Sequence, residues 1–345
     1  MVEGHTAQCA HIPPSQTAIR PITFAGLNEA CVLQSAKVIP LSSLPEISGS
    51  PKPPWLKVKA PGSPNYLRLK RLLRERQLHT ICDEAHCPNI GECWEQLTAT
   101  FLILGERCTR HCGFCAVTHG RPTELDLAEP ERVARAIAAL GLAHAVVTSV
   151  NRDDLADGGA RIFAAVIRRV RELSPGCSVE VLIPDFRGSE AALRTVVDAG
   201  PGILNHNVET VPRLYQEVRP GSRYERSLNL LAGARAMAPE LVTKSGVVVG
   251  FGEAWQELLQ TMADLREVDC DILTLGQYLR PSYAHLPIMK YYTPEEFKEL
   301  KAIGEGMGFK HVESGPLVRS SYHARDQAEE VSRKRESERA ELCRS

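Results

Sequence analysis

Three cysteines at the spacing CxxxCxxC, namely Cys108, Cys112 and Cys115, follow directly on an apolar stretch from Phe101 to Leu104. Iron–sulfur clusters are normally held by four cysteine thiolates. Three thiolates at this spacing can hold three irons of a 4Fe–4S cube, which leaves the fourth iron open to a small ligand. The motif therefore predicts a cluster that takes part in a reaction.

A second triplet lies upstream, at Cys82, Cys87 and Cys93, with the spacing CxxxxCxxxxxC. Other readings stay open for both triplets. Free cysteine is a common small buried hydrophobe, and zinc also accepts thiolates, although structural zinc sites usually pair their cysteines as CxxC. Disulfides are disfavoured because the total of 11 cysteines is odd and no apolar signal sequence is evident. A reducing compartment, the cytoplasm, is the expected location.

The composition restricts the class of protein. The 345 residues are 43% apolar and 24% charged, enough for one large core or two small ones. The net charge of −1 suggests neither a nucleic-acid partner nor a membrane surface. Because no apolar run reaches 18 residues, an ordinary transmembrane helix is not expected.

Five parts can be distinguished along the chain. Residues 1–50 are rich in proline, lack a helical or strand period and are predicted to be disordered. Residues 51–99 carry the first cysteine triplet, and residues 100–310 alternate β-branched runs with amphipathic stretches. Residues 311–325 form a C-terminal segment, and residues 326–345 are a charged tail without an apolar face wide enough to pack.

The alternating region predicts six β–α units. The expected strands are 101–104, 145–150, 179–183, 203–208, 242–250 and 271–276, and the expected helices are 130–140, 159–173, 189–199, 224–237, 253–267 and 294–307. Such a series indicates an α/β fold with a parallel sheet and outer helices. Six units are too few for a closed eight-stranded barrel, so an incomplete (β/α)6 TIM-like barrel is expected. Ligands bind at the carboxyl ends of parallel strands, where the CxxxCxxC motif falls.

Several motifs resemble a known family. CxxxCxxC with Phe114 before its last cysteine, after the first strand, resembles the radical S-adenosylmethionine (SAM) superfamily. The wider pattern is similar to the lipoyl synthases within it, over roughly residues 53–325. The matching runs are PPWL from Pro53, the upstream triplet, TSVNRDD from Thr148, DGG from Asp157, NHNVET from Asn205 and GPLVRSSYH from Gly315.

The resemblance implies two 4Fe–4S clusters. Cys108, Cys112 and Cys115 would hold the cluster whose open iron chelates SAM, and reduction would release a 5′-deoxyadenosyl radical that abstracts hydrogen from an unactivated C–H bond.

The resemblance also bears on the fold. In the expected barrel, the N- and C-terminal extensions cover the mouth.

The upstream triplet would hold an auxiliary cluster whose fourth ligand is a serine, Ser321, with Ser320 as the alternative. This cluster is the expected source of sulfur.

Candidate SAM contacts lie at other strand ends. Gly158 and Gly159 open a helix, where glycine permits close approach and free amides suit the carboxylate at the methionine end of SAM. A plain strand-to-helix turn is the alternative. Three further candidates for the amino, ribose or carboxylate groups are Asn207, Glu209 and Arg219. Thr148 on the second strand is another, and satisfying local backbone is the alternative for all four.

By resemblance, the substrate is an octanoyl chain on a lysine of a lipoyl carrier domain, such as a 2-oxo acid dehydrogenase subunit or the glycine cleavage carrier protein. Two sulfur atoms enter at carbons six and eight. A small electron-transfer protein (ferredoxin or flavodoxin) and iron–sulfur assembly proteins are further expected partners. The alternatives are another radical SAM enzyme with an auxiliary cluster, such as a peptide maturase, and a non-catalytic metal-binding scaffold.

Residues 52–79 hold eight basic residues and one acidic residue, Glu75. This run either steers an acidic carrier domain towards the enzyme or forms a solvated helix face.

Overall fold

A computed structural model describes residues 52–122 and 124–342. Residues 1–50, predicted to be disordered, lie outside the described residues. One sheet contains eight strands in chain order: β1 (His79–Thr80), β2 (Thr100–Ile103), β3 (His144–Ser149), β4 (Ser178–Leu182), β5 (Ile203–Asn205), β6 (Val242–Val249), β7 (Ile272–Gln277) and β8 (His311–Gly315).

Eleven α-helices occur in the described residues. They are α1 (Pro64–Glu75), α2 (Ile81–Glu84), α3 (Ile90–Glu95), α4 (Glu129–Leu140), α5 (Ala160–Leu173), α6 (Glu190–Val197), α7 (Tyr215–Val218), α8 (Tyr224–Met237), α9 (Trp255–Glu267), α10 (Pro294–Gly306) and α11 (Ala324–Leu342). No helix of the described residues is both long enough and apolar enough to cross a membrane.

The expected incomplete α/β barrel is confirmed, with a different strand count. The six predicted strands correspond to β2–β7, and all their pairings are parallel. The structure adds β8, parallel to β7, and the short β1, antiparallel to β2. The prediction of six was therefore one parallel strand short. In β8 only Val312 is a β-branched aliphatic residue, and His311 Nε2 lies 3.2 Å from Glu313 Oε2, so the strand lacks the apolar run that marks the others.

The outer helices form for local reasons that the sequence shows. In α5, Phe163, Ile167 and Val170 recur at helical spacing and are fully or almost fully buried. At α10, Thr293 Oγ1 accepts a hydrogen bond from Glu296 N (3.2 Å), and Glu296 Oε2 accepts one from Thr293 N (2.8 Å). This reciprocal capping satisfies amide groups that the first helical turn leaves unpaired.

The charged C-terminal region packs against the barrel, contrary to the prediction of a tail without a packing face. Helix α11 buries Val331 completely against Ile203 and Ile272, the first residues of β5 and β7. Arg335 Nη2 lies 2.9 Å from Asp271 Oδ2. The apolar face of α11 is narrow, and charged residues flank it along the sequence. For this reason the sequence pattern did not predict that the helix packs.

Replacing Val331 with aspartate tests this packing. A charge at a fully buried apolar position should lower the free energy of unfolding by about 3 kcal/mol, and the melting temperature should fall by several degrees. The neighbouring Ser332 is exposed, so Ser332→Asp serves as the control and should change the melting temperature little. Equal melting temperatures for the two variants would contradict the packing of α11.

Candidate active site

One cavity of about 510 Å³ lies at the carboxyl ends of the barrel strands. Residues of both cysteine triplets and the adjacent serines Ser320 and Ser321 contribute to its wall. The motif residues that line it are Cys82, Cys87, Cys108, Cys112, Cys115, Ser320 and Ser321. Cys93, on α3, is absent from the wall of this cavity. Two motifs that are separate in sequence therefore share one enclosed space.

The CxxxCxxC loop follows β2 and is held by backbone contacts. Cys108 Sγ accepts hydrogen bonds from the amides of Arg110 (3.4 Å) and Asn151 (3.3 Å). Gly113 is packed so closely that an added Cβ would lie 2.7 Å from Leu286 Cγ. Leu286 N also donates to Gly113 O at 2.9 Å. The loop is therefore fixed against the chain that follows β7.

Arg110, which lies between the first two cysteines of the loop, anchors the loop to the residues that follow β3 and β4. Its buried guanidinium donates to both carboxylate oxygens of Asp153 (2.7 and 3.0 Å), to Asp185 (2.5 Å) and to Ser222 (2.9 Å). Burial alone would raise the pKa of Asp185, but the Arg110 guanidinium outweighs it and holds that pKa well below its usual range. Residues after β2, β3 and β4 are thus joined by one ion-pair network.

The thiols fit metal ligation by a cluster. Burial raises the pKa of Cys112 to about 11 and that of Cys115 to about 12. In the auxiliary triplet, burial raises the pKa of Cys82 to about 11 and that of Cys93 to about 12. A metal must therefore displace the thiol protons when it binds. Among the described residues, no three His, Cys, Asp or Glu side chains converge to hold a single ion.

The auxiliary triplet is brought to the cavity by two short helices, α2 and α3. Cys82 lies in α2, Cys93 lies in α3, and Cys87 lies in the turn between them. Cys87 N donates to Cys82 O at 3.0 Å, which closes the first part of this turn. The charges of all three thiols influence one another, as expected for ligands of one cluster.

Residues 316–323, which we call the strap, tie the C-terminal segment to the auxiliary triplet. Asn89 Nδ2 donates to Leu317 O at 2.7 Å, and the Tyr322 hydroxyl lies 3.2 Å from Glu92 Oε1. Both partners on the N-terminal side lie between or beside the auxiliary cysteines. These two hydrogen bonds hold Ser320 and Ser321 on the same cavity wall as Cys82 and Cys87.

The strap lies directly on β7, and a glycine makes this possible. An added Cβ at Gly276 would lie 2.1 Å from Val318 O and 3.3 Å from Arg319 Nη1. Any side chain there would displace the strap. Arg319 lines the same cavity as the two serines, and burial lowers its pKa. Neither Gly276 nor Arg319 was assigned a role from the sequence, although Gly276 ends the expected strand 271–276 and Arg319 lies in the run GPLVRSSYH.

Three of the predicted SAM contacts converge after β5. Asn207 Nδ2 donates to Glu209 Oε1 at 3.0 Å, and Arg219 Nη1 donates to Asn207 O at 2.6 Å and to the Tyr215 hydroxyl at 2.9 Å. All three line the cavity. Asn207 Nδ2 also reaches Ser320 Oγ at 3.3 Å. The predicted SAM contacts and the strap are therefore in direct contact.

Unsatisfied polar atoms on this wall fit a ligand with several hydrogen-bond donors. Asn207 Oδ1, Asn151 Oδ1 and Ser149 Oγ are buried and have no hydrogen-bond partner among the described residues. An added Cβ at Gly246 would lie 2.9 Å from Asn207 Oδ1, so glycine keeps this space open. The ammonium and ribose hydroxyls of SAM would satisfy such oxygens. Ser149 and Asn151 were missed, although they neighbour Thr148 in a singled-out motif.

Thr148 and the glycine pair have roles that are at least partly structural. Thr148 Oγ1 lines the cavity but donates to Leu182 O at 2.9 Å, which is the backbone alternative. Gly158 and Gly159 have φ of 58° and 90°, and added Cβ atoms would lie 2.9 Å from Phe186 Cδ1 and 2.2 Å from Leu104 Cδ1. Neither glycine lines the cavity. The geometry shows a turn and packing role for both glycines, and their contact with SAM stays a prediction.

Comparisons with known proteins agree with this geometry. The model of the radical SAM superfamily matches residues 102–265. A crystal structure of Streptococcus suis SuiB bound to precursor peptide SuiA is similar in fold, with a TM-score of 0.50 and 13% identity over 73% of this chain and 53% of that chain. Fold, cysteine loop and family model together define a radical SAM enzyme.

More specific matches identify the family. The model of the N-terminal domain of lipoyl synthase matches residues 44–87. Lipoyl synthase of Rubrobacter xylanophilus is 59% identical over 82% of this chain and 88% of its own length. That of Koribacter versatilis is 61% identical over 81% of this chain and 92% of its own length. The chain belongs to the lipoyl synthase family. It is an enzyme that uses SAM and two 4Fe–4S clusters, and these matches do not support a peptide maturase.

Replacing Gly276 with alanine tests the placement of the strap. The added methyl group must push Val318 O away, so we expect the yield of sulfur-inserted product to fall about tenfold while SAM cleavage stays within about twofold. Gly306 has open space around it, and Gly306→Ala is the matched control. Product and 5′-deoxyadenosine are measured by mass spectrometry. A parallel loss of both in the Gly276 variant would contradict a role confined to the strap.

Proposed function

We propose that the enzyme uses this cavity to insert sulfur at carbons six and eight of an octanoyl chain carried on a lysine of a lipoyl carrier domain. The observation that supports this most strongly is that residues of both cysteine triplets, together with Ser320 and Ser321, line one cavity. A sulfur source and a hydrogen-abstracting site that share one space can act on the same chain without its release.

The SAM-binding cluster would be held by Cys108, Cys112 and Cys115. When bound, this cluster and SAM supply one-electron chemistry that acid–base side chains cannot perform. Arg110 holds the loop in place through its buried ion pairs. Backbone amides donate to Cys108 Sγ, and such hydrogen bonds tune the potential of a cluster.

The polar group after β5 would orient SAM. Asn207 and Glu209 face the cavity and accept or donate hydrogen bonds, and Arg219 supplies a buried positive charge beside them. Burial opposes that charge, but Tyr215 and Glu209 outweigh it and raise the pKa of Arg219. A permanent cation at this place suits the carboxylate of SAM.

The auxiliary cluster would be held by Cys82, Cys87, Cys93 and Ser321. Serine oxygen is a harder ligand than a thiolate and suits a cluster that is taken apart as its sulfur is used. Ser320 has another hydrogen bond, because its hydroxyl accepts from Asn207 Nδ2. That contact supports Ser321 as the ligand of the pair.

Apolar side chains form the remaining wall, where the octanoyl chain would lie. Leu102, Val150, Leu182 and Val247 come from four different strands or strand ends and all face the cavity. Such a wall binds a hydrocarbon by removing it from water. It also excludes water from a reactive radical, which protects the intermediate from side reactions.

The proposed partners are the octanoylated carrier domains, a small electron donor such as a ferredoxin or flavodoxin, and iron–sulfur assembly proteins that rebuild the auxiliary cluster. The proposed location is the cytoplasm, since the eight cysteines of the described residues are free and iron–sulfur chemistry needs a reducing compartment.

The proposal is tested anaerobically with reconstituted enzyme, SAM, a reductant and an octanoyl-lysine peptide. Mass spectrometry should show a gain of two sulfurs and about two 5′-deoxyadenosines per product, and iron analysis about eight irons per chain. Cys112→Ala should abolish SAM cleavage, because no cluster with an open iron can form. Cys87→Ala should abolish sulfur insertion and leave SAM cleavage largely intact. Wild-type product yield from Cys87→Ala would refute this division of roles.

The serine assignment is tested by a second pair of variants. Ser321→Ala should lower product yield more than SAM cleavage and change the electronic spectrum of the auxiliary cluster, because a ligand is lost. Ser320→Ala keeps that ligand and should leave the spectrum unchanged. If Ser320→Ala instead changes the spectrum and causes the larger loss of product, the ligand assignment moves to Ser320.

A further inference from the structure

The cavity opens to solvent through residues that are both exposed and part of its wall. Four such residues form what we call the rim: Lys52, His86, His119 and Pro281. None of them carries a carboxylate. Among the described residues that line the cavity, the one carboxylate is Glu209, which lies inside beside Arg219. The residues that line this opening therefore carry no negative charge.

Residues 279–286, which we call the rim loop, extend the opening outward. Leu279, Arg280 and Pro281 line the cavity, and Tyr283 at the tip is 84% exposed. The guanidinium carbon of Arg280 lies 5.3 Å from the centroid of the Tyr283 ring, and Arg280 Nη2 donates to Tyr283 O at 2.7 Å. Tyrosine and arginine are enriched among the residues that carry binding energy in protein interfaces.

The rim loop is pre-organised from its inner side. Leu286 N donates to Gly113 O at 2.9 Å, and the Tyr278 hydroxyl donates to Leu286 O at 2.8 Å. His285 Nε2 lies 3.2 Å from Cys115 O. The exposed Tyr283 is therefore presented by a loop that is already ordered, so little conformational entropy is lost when a partner binds to it.

The substrate requires a protein contact at this opening. An octanoyl chain amide-linked to lysine spans about 15 Å when extended, by ordinary covalent dimensions. Its reacting carbons lie near the far end and must reach the cluster sites. The domain that carries the lysine must then sit directly against the rim, a requirement that rests on the proposed function.

We propose that Lys52 and the rim loop with Tyr283 form the docking surface for the carrier domain, and that the matching face of that domain is acidic around the acylated lysine. Lys52 contributes charge complementarity, which speeds association and fixes orientation. Tyr283 contributes apolar contact beside the point where the lysine arm enters. Docking here places the arm on the axis of the cavity.

The test compares two substrates with the reconstituted holoenzyme. One is the octanoylated carrier domain, and the other is a short octanoyl-lysine peptide without acidic residues. Lys52→Glu and Tyr283→Ala should each raise KM for the carrier domain about fivefold to tenfold, and KM for the peptide should stay within about twofold. In the wild type, kcat/KM for the carrier domain should fall with added salt, and Lys52→Glu should flatten that dependence.

Three further variants provide a control for charge reversal and a test of the rival surface. Arg168 is exposed on α5, outside the barrel, so Arg168→Glu is the control for charge reversal and should leave both KM values unchanged. Arg71→Glu and Arg74→Glu on α1 test the rival surface, the basic helix. A larger rise in carrier KM from the α1 variants than from the rim variants would overturn the proposal.

Three other results would decide between failure of the docking surface and failure of the proposed function. An unchanged carrier KM in both rim variants overturns the docking surface but leaves the proposed function intact, provided that the peptide is converted. An equal rise in KM for peptide and carrier also overturns it, because the residues would then act inside the cavity. Failure of the wild type to convert either substrate would refute the proposed function instead.

Discussion

The buried ion pair of Arg110 with Asp153 and Asp185 is the interaction on which the site depends. Arg110 lies between two of the cysteines, and its partners follow β3 and β4. A buried charge is tolerated only when it is paired, and removal of one partner costs about 3–5 kcal/mol. Asp185 is fully buried, so water cannot solvate its carboxylate in place of the Arg110 guanidinium. The position of the cysteine loop is therefore determined by the barrel itself.

A second constraint is the close approach of backbone segments around the cavity. Gly276 lets the strap lie on β7, and Gly113 lets the cysteine loop lie against Leu286. The strap is in turn held by Asn89 and by Tyr322. These contacts bring the segment that carries the auxiliary triplet and the strap together at the cavity wall. The two cluster sites can share one cavity because each segment is packed to van der Waals distance.

Much of the fold and the site could be predicted because the signals are local. The β-branched runs of β2–β7 and the capping residues of α10 predict their own elements. The two cysteine triplets and the pair Ser320 and Ser321 are recognisable by spacing and flanking residues. Prediction failed where the signal depends on a partner. β8 has only Val312 as an apolar marker, and α11 buries only a few residues, among them Ala324 and Val331. Gly158 and Gly159 pack on side chains remote in sequence, and their contact with SAM stays a prediction.

The sequence by itself determined the chemistry, because ligand type and spacing along a short loop decide which metal group can be held. It also determined the α/β class, since hydrophobic period is a property of consecutive residues. Only the tertiary structure decided which residues meet. The link from Asn207 to Ser320 spans 113 positions, and the anchoring of Arg110 by Asp185 spans 75. Such contacts depend on the packing of whole elements, and no short stretch of sequence contains that information.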